Sequence, residues 1–459
     1  MTPKSMTPRE HLLKIGVSGI RGVVGEFLTP QLAAAFAQAF GTYVNAGRVV
    51  VGRDTRASGG MLQRAVTCGL LAAGCDVVDV GILPTPTIQI FVAATRARGG
   101  IAVTASHNPP EYNALKLFNS AGLFFNQYER NELLDLYHQS QFRQALNDEV
   151  GRVTTEYGRP ADLHFGRVLA HADAALIRKR RFRVALDAVN GAGAVLSPRF
   201  LRDELGCDLR AISIDPTKPF PRIPEPRPDT LGELAALVRR EQCDIGFAQD
   251  PDGDRLAVVD ETGSVLDNDD VLALAVDAAL GRLPGDVVVN LTTSSVIDDV
   301  ASAHGRRVYR TPVGEANVVE TMQSVNACIG GEGSNGGIIF PAVDLCRDSY
   351  TGMAFLLERM AATGLRCSEL AGRLPRYFRR FGKLAYRHGR LAALMQALED
   401  EFPGAALDRS DGLKLTLPEG WIHVRASNTE PVVRMAVETR SGRSVEALYR
   451  RVIELLSAE

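Results

Sequence analysis

Cysteine is scarce in this chain, and the cysteines that it has are scattered. Seven of them stand among 459 residues, and no two form a Cys-x-x-Cys pair. An odd number of widely spaced thiols fits poorly with the disulfide framework of small secreted proteins. We therefore predict reduced cysteines and a cytoplasmic location.

The chain also lacks an excess of charge of either sign. Its 52 basic and 54 acidic residues give a formal net charge of -2. Without a basic stripe or tail, nucleic acid is not expected as the main partner. A basic run at residues 178–181 lies between a helix-like and a strand-like stretch, and we interpret it as a solvated helix end.

Long apolar runs are missing too. The apolar stretch at residues 271–276 is interrupted by Asp277, and residues 1–14 are polar, without the apolar segment of a signal peptide. A bilayer-spanning helix needs roughly 20 consecutive apolar residues. We therefore expect no signal peptide, no membrane span and no membrane partner.

What the chain does have is a recurring unit of a short β-branched run, a glycine-bearing turn and a helical stretch. The unit begins near Val49, Val184, Ile245 and Val287, and this alternation predicts α/β layers. The C-terminal part differs, because several strand-like segments precede one closing helix, which predicts an antiparallel sheet with a helix. The length is too great for one core, so we expect three related mixed α/β domains in series plus a C-terminal α+β domain. The expected boundaries are 1–153, 154–258, 259–372 and 373–459.

Prolines crowd one segment of the chain. Six of them lie between Asp215 and Asp229, and each removes a backbone donor, which excludes a central strand or a helix. We expect a long, semi-rigid surface loop there. Two roles stay open for it, a structural connection or the lining of a substrate channel.

The most informative stretch is residues 104–118, which carries Ser106. This serine follows the apolar run at residues 100–103, where a buried strand reaches the surface and turns. The His-Asn-Pro-Pro sequence after it favours a rigid polar loop, and Lys116 stands ten residues after the serine. A hydroxyl on a stiff turn beside a cation suits a covalent carrier of a phosphoryl group. The alternative is an ordinary turn with a helix-capping serine.

Three carboxylates alternate on a second loop, at Asp250, Asp252 and Asp254. Hard oxygen ligands so placed suit one divalent cation, and we expect Mg²⁺. An EF-hand would need a glycine where Arg255 stands and a helix ahead of the loop, although Glu261 does stand at its twelfth position. Three carboxylates leave the shell of the cation incomplete, so a phosphoryl oxygen is expected to complete it. The alternative is a solvated acidic turn.

Three further segments suit a phosphosugar. The glycine-rich loop at residues 330–337 holds one acid, Glu332, which can bridge two vicinal sugar hydroxyls, and Ser334 stands two residues later. The glycines around Arg21 allow a backbone to pass close to a phosphate. Near the C-terminus a turn gathers donors that make a cradle for a dianion. Its members are Arg425, Ser427, Asn428, Thr429 and Arg434. The alternatives for these loops are a glycine-rich connector and a surface ion-pair cluster.

Taken together, these segments resemble the α-D-phosphohexomutase family, which includes phosphomannomutase/phosphoglucomutase and phosphoglucosamine mutase. The resemblance implies four domains around a central cleft, three of them with a shared mixed α/β topology and the fourth with a TATA-binding-protein-like fold. Each domain would contribute one loop to the active site. The matching segments are residues 19–22, 52–56, 104–116, 250–255, 331–337 and 425–434.

The resemblance also implies roles for single residues. Ser106 would be the phosphoserine and a fourth metal ligand beside the three aspartates. His107 would orient the phosphoserine, Lys116 would accept the proton of the attacking hydroxyl, and Arg21 and Arg255 would be basic catalytic residues. Glu332 and Ser334 would contact the sugar. The distal phosphate would lie on Arg425, Ser427, Asn428, Thr429 and Arg434.

The activity implied is the interconversion of hexose 6-phosphate and hexose 1-phosphate, with Mg²⁺ as cofactor and hexose 1,6-bisphosphate as intermediate and activator. The partner would be a small phosphosugar, and the protein a monomer or homodimer. The sugar stays open between glucosamine, mannose and glucose, because the loop at residues 331–337 lacks the histidine of many relatives and is one residue longer than their shorter form. Ala114 also replaces a usual glycine. The alternatives are a Mg-dependent sugar phosphatase or phosphotransferase, and a non-catalytic sugar-phosphate-binding paralogue.

Overall fold

Four β-sheets, one after another along the chain, organise the computed structural model, which describes residues 13–16, 19–385, 390–427 and 432–458. The contacts divide the chain into two compact units. The first unit runs to Leu266 and also takes in Gly337–Glu369, and the second consists of Asp267–Gly336 and the chain from Leu370 onward. Within the described ranges, no helix is long and apolar enough to cross a bilayer.

The first sheet is mixed and has seven strands. Its order is β1-β2-β6-β5-β3-β4-β7, with parallel pairing among β3, β4, β5 and β7 and antiparallel pairing elsewhere. The valine run at residues 49–51 and all of residues 99–103 are buried, as expected for central strands covered on both faces. The elements are β1 (Leu13–Gly16), β2 (Gly19–Val23), α1 (Pro30–Tyr43), β3 (Gly47–Arg53), α2 (Gly59–Ala72), β4 (Cys75–Ile82), α3 (Thr85–Thr95), β5 (Gly99–Val103), β6 (Tyr112–Phe118), α4 (Gln127–Gln139) and β7 (Val153–Thr155).

The second sheet has four strands in the order β11-β10-β8-β9, and only the β10/β11 pair is antiparallel. A π-helical turn, Phe200–Glu204, follows α7, and the proline-rich segment between β9 and α8 forms one 3₁₀ turn, Pro228–Thr230. The elements are α5 (Arg159–Leu169), α6 (Ala174–Arg180), β8 (Arg183–Asp187), α7 (Gly193–Arg199), β9 (Asp208–Ile212), α8 (Gly232–Glu241), β10 (Ile245–Gln249) and β11 (Leu256–Asp260).

In the second unit, β12 pairs in parallel with β13 and with β14. The antiparallel pair β15/β16 and the helix α12 belong to the first unit, where α12 contacts α5 and α6. The elements are α9 (Asn268–Leu280), β12 (Val287–Asn290), α10 (Val296–Ala303), β13 (Val308–Thr311), α11 (Glu315–Val325), β14 (Ile329–Glu332), β15 (Gly337–Phe340), β16 (Asp344–Arg347), α12 (Ser349–Thr363) and α13 (Cys367–Ala371).

The C-terminal sheet is antiparallel throughout, in the order β17-β21-β20-β19-β18. Apolar residues of its inner face form one cluster with α14 and α15. The expected C-terminal antiparallel sheet with a closing helix is therefore confirmed, with a second helix that the sequence pattern did not indicate. The elements are β17 (Phe378–Ala385), α14 (Leu391–Glu401), β18 (Ala406–Asp408), β19 (Leu413–Leu417), β20 (Gly420–Ala426), β21 (Val432–Thr439) and α15 (Gly442–Ala458).

Candidate active site

Ser106 lies on a tight turn just beyond the end of β5. Its φ of 49° is in the left-handed region, which residues other than glycine seldom adopt and which is concentrated at functional sites. The amide of Ser106 donates to Oγ1 of Thr104 at 3.0 Å, and the Thr104 hydroxyl donates to Asp54 at 2.6 Å. These bonds hold the strained turn, so the serine hydroxyl has a fixed direction.

Arg56 holds the same turn from the other side. Its buried guanidinium donates to the carbonyl oxygens of Ser106 and Asn108, both at 2.6 Å, and of Pro109 at 2.7 Å. Its Nε pairs with Asp54 at 3.1 Å. Arg56 lies in one of the matching segments, but nothing in the sequence assigned it this role, because its partners are backbone carbonyls some fifty residues away.

The three alternating aspartates lie on the loop that follows β10, and all three are buried. Asp250, Asp252 and Asp254 each offer a carboxylate oxygen within 4.8 Å of the others. The hydroxyl of Ser106 donates to Oδ2 of Asp250 at 2.7 Å, across 144 residues of sequence. The structure therefore joins the serine loop to the acidic loop.

This acidic group fits a divalent cation. Oδ1 of Asp252 and Oδ1 of Asp254 are buried and accept no hydrogen bond from the described residues, which is costly unless a ligand uses these oxygens. Burial, together with the charges of the other two aspartates, raises the pKa of Asp250. All-oxygen ligands of this kind suit Mg²⁺. Asp250, Asp252, Asp254 and the Ser106 oxygen are the residues that would hold it.

Lys116, on β6, lies against the acidic loop. Its Nζ is 2.6 Å from Asp252 and 3.2 Å from Asp254. Burial disfavours the charged amine, but the two carboxylates outweigh it and raise the pKa of Lys116. Arg347, at the end of β16, adds a second cation 2.8 Å from Asp254. Sequence analysis did not single out Arg347, since nothing in its local pattern places it near the acidic loop.

Cationic side chains surround His107, the residue after the serine. Its Nδ1 is 3.3 Å from the Ser106 hydroxyl. Burial, and then the positive charges of Arg255, Arg21 and Arg347, lower the pKa of His107 far below its usual range. The imidazole is therefore neutral. The three arginines that act on it are cations that suit a phosphate group, although Asp252 opposes their effect on the ring.

In the second unit, Glu332 ends β14 and is buried. Its Oε1 accepts from Nδ2 of Asn290 at 3.0 Å and from the amide of Gly314 at 2.9 Å. Ser334 lies in the 3₁₀ turn Gly333–Asn335 that follows. The carboxylate is thus held at the ends of neighbouring strands, the usual position of ligand contacts in open α/β sheets.

The C-terminal arginines lie side by side. Arg425 on β20 is directly opposite Arg434 on β21 in the antiparallel register. Like charges placed opposite each other destabilise a sheet unless an anion or acid compensates them. Asp411 lies 3.9 Å from Arg425, whereas the buried Nε of Arg434 has no acceptor within the described part of the chain. Ser427 adjoins this pair; Asn428 and Thr429 lie outside the described residues.

Comparison with known proteins accounts for all four regions of the chain. The four domain models of phosphoglucomutase/phosphomannomutase match residues 12–144 (alpha/beta/alpha domain I), 163–263 (domain II), 267–378 (domain III) and 388–455 (C-terminal domain). The chain belongs to the phosphoglucomutase/phosphomannomutase family. It is therefore an α-D-phosphohexomutase, an intramolecular phosphotransferase, and the expected series of three α/β domains and a distinct C-terminal domain is confirmed.

Individual relatives agree with this assignment. The chain is 38% identical over 450 residues to a phosphoglucomutase/phosphomannomutase of Thermococcus kodakarensis, covering 96% of this chain and 98% of that protein. It is 36% identical to a probable phosphoglucosamine mutase of Methanopyrus kandleri, covering 96% and 97%. The crystal structure of a phosphoglucomutase/phosphomannomutase family protein from Burkholderia thailandensis superposes with a TM-score of 0.83 at 29% identity, covering 96% of each chain.

Proposed function

We propose that this phosphohexomutase interconverts hexose 6-phosphate and hexose 1-phosphate through a phosphoserine at Ser106. The observation that supports this most directly is the 2.7 Å hydrogen bond from Ser106 to Asp250. It places a buried hydroxyl on a strained turn, beside a buried acidic group in which Oδ1 of Asp252 and Oδ1 of Asp254 are left to bind a cation. A serine with only a structural role would not need this neighbour.

Two transfers complete the reaction. In the first, the free sugar hydroxyl attacks the phosphorus of phosphoserine, the bond from phosphorus to Oγ of Ser106 breaks, and Oγ takes up a proton as the sugar hydroxyl loses its own. In the second, the Ser106 hydroxyl loses its proton and attacks the phosphorus at the other end of the resulting hexose 1,6-bisphosphate, the bond from that phosphorus to the sugar oxygen breaks, and the sugar oxygen takes up a proton. The sugar must turn between the two steps.

The residues of the first unit have separate tasks in these steps. The neutral His107 orients the phosphoserine oxygens, and Arg21, Arg255 and Lys116 disperse the negative charge of the transferring group. Mg²⁺, when bound by the aspartates, would supply further positive charge there. Sequence analysis predicted Lys116 as the proton acceptor, a task that requires its neutral amine; because Asp252 and Asp254 favour the charged amine, we propose charge stabilisation as its role.

For residues of the second unit, we propose the roles that the family resemblance implies. We propose that Glu332 and Ser334 contact the sugar hydroxyls, and that Arg425, Ser427, Asn428, Thr429 and Arg434 hold the phosphate that is not reacting. A fixed site for either phosphate lets the bisphosphate turn without escaping. Because the relatives named above include both a phosphoglucosamine mutase and a phosphoglucomutase/phosphomannomutase, glucosamine, glucose and mannose phosphates are all candidate substrates.

The first prediction concerns Ser106. We expect Ser106→Ala to lose mutase turnover almost completely, because the phosphoryl carrier is gone. The measurement is a coupled assay of the three hexose phosphates with trace hexose 1,6-bisphosphate, run with and without a chelator, beside intact mass before and after the bisphosphate is added.

Ser120→Ala is the matched control, since Ser120 is an exposed serine on the next loop. Wild type and this control should gain the mass of one phosphoryl group, and Ser106→Ala should not. If Ser106→Ala instead kept its activity, the acidic loop would be the carrier, through an aspartyl phosphate, and the protein would act as a phosphatase or phosphotransferase. Binding of the sugars with no turnover in wild type would indicate a non-catalytic paralogue.

A further inference from the structure

The proline-rich segment, residues 215–229, is anchored at the base of the acidic loop. Nε of Arg222 pairs with the buried carboxylate of Asp187 at 2.6 Å, and its Nη2 donates to the carbonyl of Gln249 at 3.0 Å. Gln249 is the last residue of β10 and immediately precedes Asp250. The six prolines restrict the backbone dihedral angles further, so the segment is held in one conformation.

The same segment also reaches the serine loop. The ring of Phe220 lies 5.3 Å from the guanidinium carbon of Arg56, within the range of a cation–π contact. Arg56 is the residue that holds the carbonyl of Ser106. The proline-rich segment therefore contacts Arg56, which supports the serine loop, and Gln249, which precedes the acidic loop.

Within this segment, Glu225 contacts Arg255, a charged residue of the candidate site. Its Oε1 accepts from Nη1 of Arg255 at 2.9 Å, with 7% of the arginine side chain exposed and 29% of the glutamate. The amide of Arg255 donates to Oδ1 of Asp250 at 3.2 Å, and its Nε has no hydrogen-bond acceptor in the described chain. The guanidinium is therefore held at one edge by Glu225, while its Nε lies 4.0 Å from Oδ1 of Asp254 without a hydrogen bond to it.

We propose that Glu225 is a positioning residue, whose carboxylate holds the guanidinium of Arg255 in the orientation that meets the transferring phosphoryl group. The inference rests on the proposed phosphoryl transfer at Ser106. An arginine side chain has many rotamers, and donors that are oriented before the reaction stabilise the transition state without reorganising. Two roles were left open for the proline-rich segment, a structural connection and the lining of a substrate channel. The proposal favours the structural role, in which the segment supports the candidate active site.

The test begins with Glu225→Gln, which keeps the shape of the side chain but removes its charge. We expect kcat to fall roughly 10- to 100-fold, as for other misplaced catalytic groups, and KM to change much less, because the oriented contact matters most in the transition state. Asp215→Asn is the matched control. It removes the same charge from the same segment, but the carboxylate of Asp215 pairs with the exposed Lys218 at 3.4 Å and not with a residue of the candidate site, so its kcat should equal that of wild type.

A double-mutant cycle with Arg255→Ala separates positioning from a general effect on the fold. If Glu225 acts through Arg255, Glu225→Gln should cause no further loss in the Arg255→Ala background. Additive losses, or a kcat of Glu225→Gln equal to that of wild type, would overturn the proposal. Should Glu225→Gln unfold, Glu225→Asp replaces it in the cycle, with the same expected non-additivity. A wild type without mutase turnover would overturn the proposed function as well, whereas an active wild type with additive losses would overturn only the role of Glu225.

Discussion

At the scale of single residues, burial alone does not decide the charge of a side chain; its neighbours do. Near the acidic loop, Lys116 is buried and His107 is partly buried. Two carboxylates raise the pKa of Lys116 against the effect of burial, whereas three arginines act with burial to lower the pKa of His107. The result is one fixed cation beside the aspartates and one neutral ring beside the serine, the charge states on which the proposed roles of Lys116 and His107 depend.

Asp270, a residue with no proposed catalytic role, provides a second test of these electrostatics. Burial, then the charges of Asp267 and Asp269, raise the pKa of Asp270 to about 7, although Arg379 opposes them. The folded state therefore binds this proton more tightly than the unfolded state does, so the stability that the group provides is present at low pH and is lost as pH rises from about 4 to about 7. We expect the free energy of unfolding of Asp270→Asn, relative to that of wild type, to increase by more than about 1 kcal/mol between pH 5 and pH 8, since one pKa unit corresponds to about 1.4 kcal/mol.

Thermal or urea unfolding of both proteins across this pH range measures the effect. Asp400→Asn serves as the control, because Asp400 is an exposed aspartate of the same unit and should give a difference that does not vary with pH. Parallel stability profiles for wild type and Asp270→Asn would contradict the assignment.

At the scale of elements, the sequence indicated the loops of the candidate site and missed the contacts that support them. Ser106 and Asp250 were recognisable because polar, turn-forming residues follow directly on the apolar strands β5 and β10. The supporting residues were not, since Arg56, Glu225 and Arg347 reach their partners from distant segments. Local patterns carry strand ends and turns, but a single sequence contains no distances between elements.

The close packing of α1 against α2 gives a prediction at this scale. Gly69, on α2, faces the backbone of α1, and a Cβ added there would lie 2.1 Å from the carbonyl oxygen of Ala34 and 3.0 Å from Cβ of Ala37. The helices would have to separate, because neither neighbour is a flexible side-chain end. We expect Gly69→Ala to lower the free energy of unfolding by about 1–3 kcal/mol, measured by chemical denaturation.

Gly166→Ala is the matched control for this substitution. Gly166 also lies inside a helix, α5, but a Cβ there would meet nothing within 4 Å. Alanine should then stabilise the protein by up to about 1 kcal/mol, through helix propensity and a less flexible unfolded chain. Equal effects at both glycines would show that helix propensity, and not the α1/α2 contact, decides the outcome.

At the scale of the whole molecule, segments that are far apart in sequence pack together in one unit. The first unit takes β15, β16 and α12 from beyond residue 336. Tyr350, on α12, is fully buried, with its ring centroid 5.7 Å from that of Phe165 and 5.2 Å from that of Phe200, and its hydroxyl 3.0 Å from Ser197. The core around α5 and α7 is thus completed by a late segment of the chain.

This arrangement predicts how fragments of the chain behave. A fragment of residues 1–266 contains the first two sheets entire, yet it lacks Tyr350 and also Asp348, whose carboxylate lies 3.2 Å from the buried Nε2 of His164. Removing a buried aromatic residue typically costs about 3–5 kcal/mol, and an unpaired buried polar group adds to this loss. We expect the thermal unfolding midpoint of the fragment to lie well below that of the full chain, and α5 to be exposed to protease in the fragment. Hydrogen exchange on the fragment and on the full chain measures this, and equal protection of residues 159–169 in both would show that α12 is dispensable for the first unit.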